Sequence, residues 1–175
     1  MKDRKVASGS RVLAVLFGLL ALVSTAADFT VNGLTYSNSE PIVPGEWTCL
    51  FSKAKTYADN KNIPLVVVWA NPGCGFCNSL ESGLGKNGDF NAWRKARGYV
   101  MVFEYGKTTN AKYGMNASDG ALAYNYAYTL TTRLDAYPFV AVHWKKGPNG
   151  KAVNKNFVGR SGRMPVTAPL SLMSR

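Results

Sequence analysis

One histidine and three cysteines are too few for the usual zinc sites or for a disulfide-built domain. Acids are scarce too, ten against twenty-one lysines and arginines, for a formal charge of +11. No apolar run reaches the ~20 residues of a membrane helix, so no integral span is expected in the mature chain. Internal repeats and low-complexity tracts are absent. What is present is globular: 175 residues, 46% hydrophobic and 18% charged, enough for one domain with a substantial core.

The first 27 residues read as an export signal. Lys2, Arg4, Lys5 and Arg11 precede a twelve-residue apolar run, Val12–Val23, and then the small residues Ser24-Thr-Ala-Ala27. The run is too short for a retained anchor. Cleavage after Ala26 or Ala27 leaves one domain, 28–175, with charge +8. The expected location is periplasmic or secreted, where disulfides persist and nucleic acid is not an expected partner. The basic excess gathers late: after Asp135 come Lys145, Lys146, Lys151, Lys155, Arg160, Arg163 and Arg175. It fits a solvated surface, or attraction to acidic clients or an anionic envelope.

Strands and helices alternate along the domain. Asp28–Pro44 is an extended lead-in. Trp47, Leu50, Phe51, Ala54, Tyr57 and Ala58 fall at helical spacing, with Thr48 as N-cap and Asn60-Lys-Asn62 as the stop. Leu65-Val-Val-Val-Trp-Ala70 suits a strand buried on both faces. A turn leads into a helix carrying Cys77, Leu80 and Leu84, which Gly83, Gly85 and Gly88 should kink or break. Asp89 then caps a piece with Phe90, Trp93 and Ala96. Tyr99–Tyr105 is a strand, 106–120 a polar loop, and 121–134 a helix whose Tyr-x-Tyr-x-Tyr also fits a strand. Phe139–Trp144 and Lys151–Gly159 form a closing hairpin around Gly147-Pro-Asn-Gly150. Pro165 and Pro169 keep any last helix short. The pattern is α/β, with a mixed central sheet flanked by helices.

Cys74-Gly75-Phe76-Cys77 carries the chemistry. Two cysteines three apart at a helix start lie within disulfide reach. The helix end favours an anion on the first, and the second lies one turn inward. Cys74 is then the attacking thiol, and Cys77 resolves the mixed disulfide. Half a metal site and a static structural bridge remain open as other readings. Cys49 and His143 are the only spare metal ligands of their kinds. No metal or cofactor is expected.

With its preceding strand, Pro64 through Cys77 resembles the thioredoxin superfamily, and the likeness extends over roughly Trp47–Gly159. Tyr137-Pro138 before a strand and the closing hairpin add to it. The resemblance implies a thioredoxin-like fold and a cis Pro138 facing the cysteines. It also implies that Gly75, Phe76, Tyr137 and Pro138 contact the client. Cys-Gly-Phe-Cys is similar to the Cys-Gly-Tyr-Cys of bacterial periplasmic disulfide isomerases and unlike thioredoxin's Cys-Gly-Pro-Cys. The function so implied is an exported thiol–disulfide oxidoreductase acting on cysteine-containing proteins, with a redox partner to recycle it. The alternative is a non-catalytic binding module with a structural disulfide. Val67 stands where thioredoxin has a buried aspartate that accepts the second cysteine's proton; an aspartate introduced there is expected to speed reduction. Glu104, the other acid to consider, is expected as a solvated strand end. His143 is expected to be structural and too far along its strand to act on Cys74. Cys49 is expected to be an incidental thiol turned from the apolar face, open to reaction or to pairing with another chain. Asn116-Ala-Ser118 matches a glycosylation sequon. Tyr113, Tyr124, Tyr126 and Tyr128 are expected to pack in core and loops.

Overall fold

The computed structural model describes residues 28–113, 115–130 and 137–158. The expected leader over 1–27, the end of the 121–134 helix, Gly159 and the proline-bearing tail lie outside them.

The lead-in is not merely extended. Asn32 and Gly33, with φ of 50° and 81°, turn the chain between β1 (Phe29–Val31) and β2 (Leu34–Tyr36), an antiparallel hairpin. Trp47–Thr48 is a short strand, β3, rather than the first turn of a helix. The helix α1 starts later, at Phe51, and runs to Lys61. Thr48 accepts the N–H of Leu50 at 3.2 Å but does not cap α1. Asn62, left-handed at φ 52°, ends the helix where the Asn-Lys-Asn signal puts it.

β4 (Leu65–Trp69) has all five residues buried. It is followed by α2 (Gly75–Lys86), α3 (Gly88–Arg97) and β5 (Val100–Glu104). α2 passes through Gly83 and Gly85 without breaking; the break comes at Asn87, whose side chain accepts the Phe90 N–H at 2.8 Å and caps α3 in place of Asp89. The expected polar loop holds a short helix, α4 (Lys107–Lys112), and the first turn of α5 (Ala117–Leu130). α5 is helical through the tyrosine run. β6 (Phe139–Trp144) and β7 (Val153–Val158) close the chain as an antiparallel pair.

Five strands form one mixed sheet in the order β3-β5-β4-β6-β7. β3, β5 and β4 are parallel, and β6 runs antiparallel to β4. Strand alternation sorts β4 onto two faces. Val66 and Val68 pack with Cys77, Leu80 and Leu84 of α2, Phe90 of α3 and Leu34 and Tyr36 of the hairpin. Leu65 and Val67 pack with Phe51, Ala54 and Ala58 of α1 and Ala123 of α5. The architecture is therefore α/β, a mixed sheet flanked by helices on both faces.

α1 has no capping side chain of its own. Acids from other elements take its first N–H groups: Glu104 accepts from Phe51 at 3.3 Å, and Asp119 from Ser52 at 3.2 Å. Glu104 is therefore not a solvated strand end. It is fully buried, and Asn110 donates to its other oxygen at 2.6 Å. Loss of hydration pushes its carboxyl well above the ordinary range, and Asp119's charge adds to this.

Two outcomes are expected. An acid whose pKa rises on folding keeps a proton that the unfolded chain has lost. Glu104 therefore favours the fold less as pH climbs from about 4.3. The wild-type urea midpoint should fall relative to that of Glu104→Gln between about pH 4.5 and 7; parallel curves would refute this. At Gly85, a Cβ would run into the Gly33 carbonyl of the hairpin. Gly85→Ala, which normally strengthens a helix by about 1 kcal/mol, should here destabilise by about 1–2 kcal/mol in urea unfolding.

Candidate redox site at the start of α2

β4 ends at Trp69, and the chain turns through Asn71-Pro-Gly into α2. Asn71 shapes the turn: its carbonyl accepts from Cys74 N–H at 2.9 Å and its side chain from Gly73 N–H at 3.0 Å. Cys74 is the N-cap of α2. Its Sγ takes the place of a capping oxygen and accepts the Cys77 N–H at 3.3 Å. The open helix end thus points a backbone dipole at this sulfur.

The two sulfurs have different surroundings. Cys74 is half-buried and Cys77 fully buried, both as free thiols. The Cys77 sulfur accepts the Asn71 N–H at 3.4 Å. Burial pushes the Cys77 thiol up to about 12, helped by its hydrogen bond to Cys74. Gly75 and Phe76 lie on the surface, Phe76 with 52% of its area exposed beside the motif.

Residues far along the chain complete the site. Tyr137's carbonyl lies 3.8 Å from Cys74 Sγ and accepts from its thiol. The Tyr137-Pro138 bond is cis, the isomer that the resemblance implies. Pro138 is buried; the Tyr137 ring packs on Trp69 at 5.1 Å, and Trp69 on Tyr124 at 4.6 Å. This aromatic stack backs the end of β4 and the segment before β6. The structure thus brings Cys74, Cys77 and Tyr137 together, and Phe76, between the two cysteines in the chain, is exposed.

Other expected candidates lie elsewhere. Cys49 does not turn away from the core. It is fully buried, and its thiol donates to Asn38 Oδ1 at 3.2 Å and Ser37 O at 3.5 Å. Burial also pushes it up to about 12. A thiol so enclosed is not a surface nucleophile and cannot pair with another chain while folded. His143 lies between Asn154 at 2.7 Å and Asp59 at 3.3 Å. That bridge ties β6 to β7 and α1, a structural role. Asn116 uses its side chain to accept the Ser118 and Asp119 N–H groups at the start of α5. Tyr113 packs on Phe29 and Tyr105, and Tyr126 on Phe51. Tyr128's side chain lies outside the described ones. Among the described residues, no three His, Cys, Asp or Glu side chains gather as metal ligands.

Val67 faces α1, on the opposite side of the sheet from Cys77. The expectation that an aspartate there would assist Cys77 is therefore corrected: it would face the α1 layer. Among the described residues, the buried acid on the Cys77 side is Glu81, one helical turn further along α2 and bound by Tyr105 and Asn32. Sequence reasoning missed it. The available signal was an acid at i+4 from Cys77, within the apolar stripe of Leu80 and Leu84.

Compared with known proteins, the chain matches no family model, and no curated protein matches it. Among the described residues, no helix is long and apolar enough to cross a membrane.

Exposure orders the three thiols. Iodoacetamide should modify Cys74 first in the reduced native protein, with Cys77 and Cys49 protected at neutral pH until denaturant is added. Peptide mapping of the early product checks the order, and early label on Cys49 would contradict it.

Proposed function

We propose that this chain is an exported thiol–disulfide oxidoreductase of thioredoxin-like fold, exchanging disulfides with cysteine-containing proteins through Cys74 and Cys77. One observation carries the reading: a half-exposed thiol at a helix N-cap, backed by a buried thiol one turn inward and faced by the Tyr137 carbonyl 3.8 Å away. Parallel β5–β4 pairing, antiparallel β6 and β7, and a motif at the carboxyl end of β4 are what a thioredoxin-like topology requires.

The exchange divides between the two sulfurs. Cys74 thiolate attacks one sulfur of a client disulfide, and the other client sulfur leaves as a thiolate. Cys77 then attacks Cys74, the mixed disulfide breaks, and the client departs with both sulfurs reduced while Cys74–Cys77 is oxidised. The reverse sequence donates a disulfide; a recycling partner sets the direction. Phe76 and Gly75 offer an open surface beside the sulfur, and the Tyr137-Pro138 segment offers backbone to a client strand. Phe76 supplies neither charge nor a hydrogen bond to Cys74. The potential is accordingly expected between those of thioredoxin and the strongest oxidants, roughly −230 to −150 mV.

Trapping tests the reading. With Cys77→Ala, mixed disulfides between Cys74 and client proteins should accumulate on non-reducing gels and disappear in Cys74→Ala/Cys77→Ala. Equilibration of the wild type with glutathione should give a potential in the stated range. No trapped clients, together with a pair that resists glutathione, would instead support the binding module with a static bridge.

A further inference from the structure

Cys77, Leu80, Glu81 and Leu84 form the buried stripe of α2. Three suit an apolar interface; Glu81 does not. A carboxylate taken out of water costs several kcal/mol unless other groups bind it. Here two groups do. The Tyr105 hydroxyl, just past the end of β5, donates to Oε1, and Asn32 Nδ2, at the tip of the β1–β2 hairpin, donates to Oε2 at 2.6 Å. Asn32 also donates to Asn78 Oδ1 at 3.2 Å. A leucine in the stripe would need none of these partners. The carboxyl lies one helical turn from Cys77 on the same buried stripe.

We propose that Glu81 takes the Cys77 proton when the mixed disulfide on Cys74 is resolved. The inference rests on the redox reading above. Residues four apart on a helix face one another, with Cβ atoms about 5–6 Å apart. A carboxylate offers about four lone-pair sites, and Tyr105 and Asn32 occupy one on each oxygen. Capacity for a thiol proton therefore remains. The other buried acids among the described residues cannot serve. Glu104 follows Val100 and Val102 onto the α1 face, where it and Asp119 cap α1.

The step balances without another reagent. The Cys77 S–H bond breaks and its proton passes to Glu81. The Cys77 sulfur attacks Cys74 Sγ, and the Cys74–client bond breaks. The departing client thiolate is protonated by solvent or by Glu81. Burial holds the Cys77 thiol in its protonated form near neutral pH, so a nearby acceptor matters. Burial raises Glu81 above the ordinary carboxylate range, toward a useful acceptor, while the Tyr105 and Asn32 hydrogen bonds hold it down. Among the described residues, the titratable groups facing it are Cys77 on its own helix, Tyr36 of β2 and Tyr105 just after β5. Burial raises both tyrosines, so neither ionises in the range tested.

Stopped-flow reaction of the reduced full chain with Ellman's reagent separates the steps. The first thiol release reports attack by Cys74, the second resolution by Cys77. In the wild type the second phase should accelerate with pH through the ionisation of Glu81. Glu81→Gln should slow it roughly 100-fold at pH 7, the low end for loss of a positioned base, and abolish that inflection. Glu81→Asp should restore the inflection. Tyr105→Phe should move it to higher pH, because the carboxylate loses a donor that favours its charged form. A wild-type profile in Glu81→Gln, or equal slowing in the Gln and Asp variants with the inflection intact, would overturn the proposal. If Glu81→Gln does not fold, an unmoved inflection in Tyr105→Phe overturns it. Absence of any second release from the wild type would instead refute the redox reading itself.

Discussion

The site depends on how α2 is seated. Cys77, Leu80, Glu81 and Leu84 face the sheet, and Gly85 lets the Gly33 backbone lie directly against the helix. A helix held on both sides cannot rotate without exposing that stripe, and each large apolar side chain exposed costs about 1.5–3 kcal/mol. Its start is therefore fixed relative to β4. Cys74 emerges at the open end while Cys77, one turn later, is enclosed. The asymmetry between the sulfurs follows from packing, with no special residue between them.

The same burial makes acids expensive, yet Glu104 and Glu81 are both fully buried beside the central strands. Glu104 serves α1, whose start lacks a capping residue, and Asn110 supports it from the segment after β5. Glu81 lies in the opposite layer, with partners from the residue after β5 and from the hairpin. Neither can be exchanged for a hydrophobe without leaving donors unsatisfied, which costs roughly 1–3 kcal/mol per group. Their placement on opposite faces follows from the period-two alternation of the strands and the helix stripe. The hairpin is thus more than a cover: Asn32 reaches over to the Glu81 carboxyl, one turn along α2 from Cys77.

Much was legible locally. The apolar run 65–70 announced a doubly buried strand, Phe139–Trp144 the strand that pairs with it, and the Cys-Gly-Phe-Cys spacing a helix entry. The errors came where tertiary partners overrode local signals. Trp47 and Thr48 lie at helical spacing yet pair with Met101 and Val102 of β5, because an open sheet edge offers their backbone better hydrogen bonds. Gly83 and Gly85 looked like breakers, but a glycine in a helix costs only about 1 kcal/mol, which packing against the hairpin outweighs. Residues 107–112 and 117–120 coil as helix although their composition reads as loop.

By itself the sequence determined the alternation of elements, the pair of cysteines at a helix start and the identity of its second, inward thiol. These follow from hydrophobic period and from chain geometry over a few residues. Only the tertiary structure decided that Tyr137 meets Cys74 across 63 positions, that Cys49 is sealed in, that Val67 faces away from Cys77 and that Glu81 faces the same way as Cys77. An acid's role depends on which groups surround it after burial. A local pattern records a residue's own preference for water; it does not record which partners from distant elements will replace that water.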